Sequence, residues 1–200
     1  MIGQLMTVLL CTTTYAVMRY AAFGGVSLVH LPGYLMNKSI AMAAVVSLLM
    51  AALSMASAQR DRHRFWSRAC SHLISLHVLL SLVILSKGYF ARWFEGDMMN
   101  LTGEGMLLMG VLAVYCFWQL AAGEFEHAAQ RRLTLLAGTL VAAHLCIMGS
   151  GGWLQVDRWH GGLPPITLLS FVLVVFSLFS LLRVKARSAA PETGLPRTPS

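Results

Sequence analysis

The chain has 200 residues, of which 57% are hydrophobic and 12% charged, with a formal net charge of +7 at pH 7. An ordinary soluble domain carries about 25% charged residues, so this composition excludes a water-solvated globular enzyme, as does the mean hydropathy of +0.68. The positive balance does not point to nucleic acid, because the arginines and lysines fall between apolar stretches instead of covering a polar domain.

A helix crossing a ~30 Å hydrocarbon core needs about 20 apolar residues at ~1.5 Å each. Uncharged stretches of that order run over residues 1–18, 39–59, 69–86, 105–123, 133–156 and 159–182. The fold expected is therefore an all-α polytopic membrane bundle of six transmembrane helices over 1–187, followed by a tail over 188–200. The first stretch lacks the basic start and small-residue cleavage site of a secretory signal and is expected to remain as the first helix. Segment 20–37 is also uncharged, but it holds Gly24, Gly25, His30, Pro32 and Gly33. Gly and Pro interrupt helices, so it reads as a loop or a half-buried re-entrant turn.

Between the second and third spans stand Arg60, Arg62, Arg64 and Arg68; between the fourth and fifth, Arg131 and Arg132; after the sixth, Arg183, Lys185, Arg187 and Arg197. These ten cations share one side, against five on the other: Arg19, Lys38, Lys87, Arg92 and Arg158. The positive-inside rule makes the richer side cytoplasmic, placing both termini there, in an inner (plasma) membrane. The tail, SAAPETGLPRTPS, is rich in Pro, Ser and Thr and is expected to be disordered and cytoplasmic. Trp66, Trp93, Trp153 and Trp159 lie at span ends, where aromatic belts anchor helices. Cys11, Cys70, Cys116 and Cys146 fall in or beside spans without CxxC spacing and read as small apolar side chains, with no disulfide or zinc site. The twelve methionines are scattered and read as core packing, not as copper ligands.

Coordinating side chains inside a membrane span are costly and mark functional sites by default. His77 in the third span and His144 in the fifth lie about eight and eleven residues from the cytoplasmic starts of their spans, near mid-bilayer at ~1.5 Å per residue. Two facing imidazoles at one depth are what a b-type haem needs, one nitrogen above and one below the iron. The alternative is that each hydrogen-bonds a neighbouring helix. His72, five residues before His77, points about 140° away and does not share its face. His63 lies within about 40° of the His77 face and ~21 Å lower, a spacing that suits two stacked haems. The matching position thirteen residues before His144 is Arg131, however, and His127 is out of register. His63 therefore reads as a loop residue among arginines, and His30 and His160 as residues of the outer loops. No catalytic dyad, phosphate loop or buried carboxylate pair is visible.

Several runs together carry a family resemblance: LISLHVLLSLVILSKGYF around His77, NLTGEGMLLMGVLA, RRLTLLAGTLVAAHLCIMG around His144, YLMNKSIAMAA, and GGLPPITLLSF. Over about residues 15–183 the chain resembles the ferric reductase-like transmembrane domain, a superfamily that includes ferric reductases, NADPH oxidases and the haem-binding subunit of the bacterial methionine sulfoxide reductase system. The resemblance implies a six-helix bundle holding haem b between the third and fifth spans, with His77 and His144 as axial and metal ligands. The family usually has a further histidine in the fifth span, where Arg131 stands here, so one haem is expected. The flavin and nicotinamide domain of many members is missing from the sequence, which makes a haem-only subunit the nearest analogue.

The function expected is electron transfer by a membrane haem, with the chain a candidate oxidoreductase subunit. Electrons would come from a quinol or a separate flavoprotein and pass to a redox acceptor at the outer face, with membrane lipid as the surroundings. Arg19, Lys87 and Arg92 are candidates to pair with haem propionates. The rival reading is a small transporter or an assembly or structural subunit without haem, its histidines binding an ion or linking helices.

Overall fold

A computed structural model describes residues 1–25, 27–123 and 125–188. Apart from Ser188, the tail expected over 188–200 lies outside the described residues. The long helices are α1 (Ile2–Ala16), α2 (Leu31–Ala56), α3 (Arg60–Val83), α5 (Leu101–Ala122), α6 (His127–Trp153) and α7 (Ile166–Ser188). A short helix, α4 (Lys87–Phe90), follows α3, and a two-stranded antiparallel hairpin, β1 (Phe94–Glu95) with β2 (Met98–Met99), precedes α5. Among the described residues five helices are long and apolar enough to cross a membrane; α3 makes a sixth together with the Lys87–Trp93 helix, bent from it by 107°. Arg68, His72, His77 and the serines among its apolar residues lower the hydropathy of α3, which does not qualify alone. The chain is thus an all-α membrane bundle.

Helix α2 is the hub, packing against α3, α7 and α1, while α6 packs against α5 and α7. Its buried face is made of small residues, Ala43, Ala44, Ser47, Ala51, Ala52 and Ser54. Small side chains let helix backbones approach closely where lipid tails offer no hydrophobic drive for association. These two serines satisfy their hydroxyls within the helix: Ser47 Oγ donates to Ala43 O at 2.8 Å and Ser54 Oγ to Met50 O at 2.7 Å. The core around this face joins Val45, Leu48, Cys70, Cys116, Phe117, Ala137, Leu145 and Val174. All four cysteines are free thiols. The outer faces carry Leu79, Leu82, Val83, Leu136, Phe176 and Phe179, all exposed, a surface that suits hydrocarbon and would be an aggregation hazard in water.

The structure differs from the sequence expectations in three places. The segment 20–37 is not a loop throughout. The first helix continues through a π-helical turn, Val17–Ala22, and α2 starts at Leu31, with Pro32 in its first turn. A proline there lacks only an N–H that has no intrahelical partner anyway, and its φ is already helical. Helix α3 begins at Arg60, nine residues before the apolar stretch at 69, so His63 is helical and not in a loop. Two of the four tryptophans are not interface anchors: Trp66 is fully buried and Trp93 nearly so. Their indoles pack inside because the helix starts earlier than the apolar run and because the chain folds back after α3.

Candidate haem-type site between α3 and α6

Helices α3 and α5 touch only sparingly, and the space between them opens into a cavity of about 170 Å³ walled by α2, α3, α5, α6 and α7. His77 and His144 both line it. Each ring is held by a hydrogen bond on one nitrogen. His77 Nδ1 lies 2.7 Å from Asn37 Oδ1, which also accepts the Ser81 hydroxyl at 3.1 Å, and His144 Nδ1 lies 2.8 Å from the backbone oxygen of Met106. A carbonyl oxygen can only accept, so both Nδ1 atoms carry a proton, and in the neutral ring each Nε2 keeps its lone pair. Neither Nε2 has a hydrogen-bond partner among the described residues.

Gly110 explains how His144 reaches its partner. In a helix the carbonyl of Met106 points toward residue 110, and a Cβ at Gly110 would stand 3.1 Å from His144 Nδ1. The missing side chain leaves room for the ring to lie against α5.

The cavity also contains a residue that the sequence reading placed in an outer loop. Lys38 belongs to α2, is 9% exposed and lines the cavity. Its Nζ has Met148 Sδ at 3.9 Å and sits 5.2 Å from the centre of the Tyr34 ring. Neither is a counter-charge. Tyr34 meets Tyr20 edge-on at 5.0 Å, Arg19 sits 5.6 Å from the centre of the Tyr20 ring, and Arg92 donates to the backbone oxygen of the same Met148. Three cations, Arg19, Lys38 and Arg92, are thus linked through two tyrosines and one methionine at one end of the bundle. Arg19 is 5% exposed and donates to Leu163 O. The one ion pair among the described residues lies elsewhere, between Lys87 and Asp97 at 2.7 Å on the surface.

Of the residues singled out in the sequence, the structure brings His77 and His144 to one cavity and places Arg19 and Arg92 in the cationic cluster with Lys38. Lys87 is left out of that cluster, paired with Asp97, and does not line the cavity. His30 precedes α2 and packs on the Tyr89 ring at 4.5 Å. His160 is exposed. Asn37, Lys38 and Gly110 were missed; an Asn-Lys pair inside the apolar run that becomes α2 was the available signal.

The donor set fits a b-type haem, although the cavity, at about 170 Å³, is smaller than the 300–1,000 Å³ of small-molecule sites and would have to widen to admit a porphyrin. Two neutral imidazoles with free Nε2 atoms face one cavity, each oriented by an acceptor on its other nitrogen as ligating histidines almost always are. A buried lysine without a counter-charge supplies what an acidic ligand needs. A bare ion fits less well: zinc takes four ligands, and among the described residues no cluster of three or more His, Cys, Asp or Glu exists. The sequence matches no family model and no curated protein.

Proposed function

We propose that the chain is a membrane electron-transfer protein that holds one b-type haem between His77 and His144, a haem-only relative of the ferric reductase-like transmembrane proteins it resembles. The observation that carries the reading is the pair of imidazoles on one cavity, both with Nδ1 tied to an acceptor and Nε2 free. A haem bound there supplies one-electron chemistry. The chain's own residues fix the ligands, exclude water through the apolar wall of the cavity, and balance acidic groups with Lys38, Arg19 and Arg92.

The arginine-rich end of α3 and α6 faces the cytoplasm of a plasma membrane in this reading, and the cationic cluster lies toward the outer face. One haem does not bridge ~30 Å of hydrocarbon. A quinol diffusing within the bilayer is therefore the donor we favour over a cytoplasmic flavoprotein, with a redox acceptor at the outer face.

The chain purified in detergent from haem-replete cells is expected to be red, with absorption bands that sharpen and shift on adding dithionite. A pyridine haemochrome assay should give about one haem per chain. A colourless, monodisperse protein would sink the reading and favour a transporter or structural subunit.

Asn37 gives a finer test. Replacing it by leucine leaves His77 in place but removes the acceptor that fixes its tautomer. Losing such a partner typically costs about 10–100-fold in affinity. Asn37→Leu is expected to lose haem to apomyoglobin faster than the wild type by that order, while its bound fraction keeps a two-histidine spectrum. An unchanged transfer rate would mean that Asn37 does not orient the ligand.

A further inference from the structure

A second and larger cavity, about 970 Å³, lies at the arginine-rich end of the bundle. It reaches the upper part of the 300–1,000 Å³ range of small-molecule sites. Its rim is cationic. Arg60, Arg64, Arg68 and His72 recur every four residues down one side of α3, His63 lies beside them, and Arg131 faces them from α6. Among the described residues no carboxylate lines it, Asp61, the one acidic residue of α3, is not part of the wall, and none of these arginines is ion-paired. The opposite wall is apolar, formed by Leu48, Phe117, Leu120 and Leu181. The cavity therefore joins a permanently charged half to a hydrocarbon half.

We infer that this cavity binds an anionic phospholipid, with the phosphodiester among Arg64, Arg68 and Arg131 and the upper acyl chains on the apolar wall. Guanidinium is the side chain best shaped for phosphate oxygens, and basic pockets between transmembrane helices take acidic head groups. A neutral quinone leaves four guanidinium charges without a partner. A free phosphate leaves the apolar wall uncovered. A second haem lacks its pair of ligands, because the residue facing His63 from α6 is not an imidazole but Arg131, which donates its Nε to Leu181 O at 3.4 Å. The assignment does not depend on a haem at His77 and His144.

Native mass spectrometry of the full chain in detergent tests it, with phosphatidylglycerol, phosphatidylcholine of the same acyl chains, and inorganic phosphate as probes. Phosphatidylglycerol is expected to bind about tenfold or more tighter than phosphatidylcholine, and inorganic phosphate should not displace it. The triple substitution Arg64→Gln, Arg68→Gln, Arg131→Gln is expected to abolish the preference. Because Arg131 also holds the α7 backbone, the double substitution Arg64→Gln, Arg68→Gln serves as a second variant. Both of its side chains are exposed, and it should weaken the preference by about fivefold. Arg183→Gln, away from the cavity, should leave the preference intact. Equal affinity for the two lipids, a preference that survives the double substitution, or displacement by inorganic phosphate alone would overturn the inference. So would a second haem per chain that disappears in His63→Ala.

Discussion

Replacing His144 by alanine is expected to remove the haem bands altogether, taking haem per chain from about one to below about a tenth. His144 Nε2 is one of two free nitrogens on the cavity, and its Nδ1 bond to Met106 O is the contact that aims it. His77→Ala should do the same, since an iron held by one imidazole in a cavity of this size has lost half its protein ligation. Either alanine leaves an apolar-walled void and takes one donor from Met106 O or from Asn37 Oδ1, which keeps the Ser81 hydroxyl. Some loss of stability is expected as well, so spectra need to be read on monodisperse material.

Two controls separate ligation from folding. His72→Ala removes an imidazole five residues from His77 that lines the other cavity, and it should leave the spectrum unchanged. Imidazole added to His144→Ala with haem should occupy the vacated space and restore a two-nitrogen spectrum. Full haem content in both His77→Ala and His144→Ala would end the ligand assignment.

The bundle was legible because apolar length is a strong signal: six uncharged stretches became six long helices. The boundaries were not legible, because helix ends are set by capping and packing and not by hydropathy. Pro32 and Gly33 read as breakers, yet a proline in the first turn costs a helix nothing, and so α2 starts at Leu31. Reading that segment as a loop pushed Asn37 and Lys38 out of the span and hid the two residues that flank the histidines. In the same way, Arg60 to Arg68 looked like a connection between spans, although arginines are good helix formers and α3 runs straight through them.

Two parts of the site were visible from residue type alone. His77 and His144 stood out because an imidazole among leucines and valines needs a reason to be there. Nothing in their neighbourhood revealed the acceptors. Met106 contributes a backbone oxygen, which has no sequence signature, and Gly110 matters only for the side chain it lacks. Lys87 misled, since a cation at a span end says nothing about its partner, and here Asp97 provides one.

Replacing Lys38 by methionine should have opposite effects on the empty and the loaded protein. Lys38 is buried, and its neighbours are a thioether and an aromatic ring, while a desolvated charge costs several kcal/mol when no counter-charge offsets it. Methionine keeps the length and volume of the stem and removes the charge. The haem-free form of Lys38→Met is therefore expected to be more stable than the wild type, by about 1–3 kcal/mol.

The loaded form should lose. If the lysine serves the carboxylates of the ligand, the substitution leaves one of them without its partner, and breaking such a pair costs about 2–5 kcal/mol. Each tenfold in affinity is about 1.4 kcal/mol, so haem should bind roughly 30-fold more weakly or worse. Haem dimethyl ester, which has no free carboxylates, provides the internal check. The wild type is expected to prefer haem to the ester, and Lys38→Met to bind both alike. A lysine that merely fills space between α2 and α6 gives a different pattern, with lower stability of the empty protein and an unchanged preference. That result would remove Lys38 from the site and leave the acidic groups of the ligand to Arg19 and Arg92.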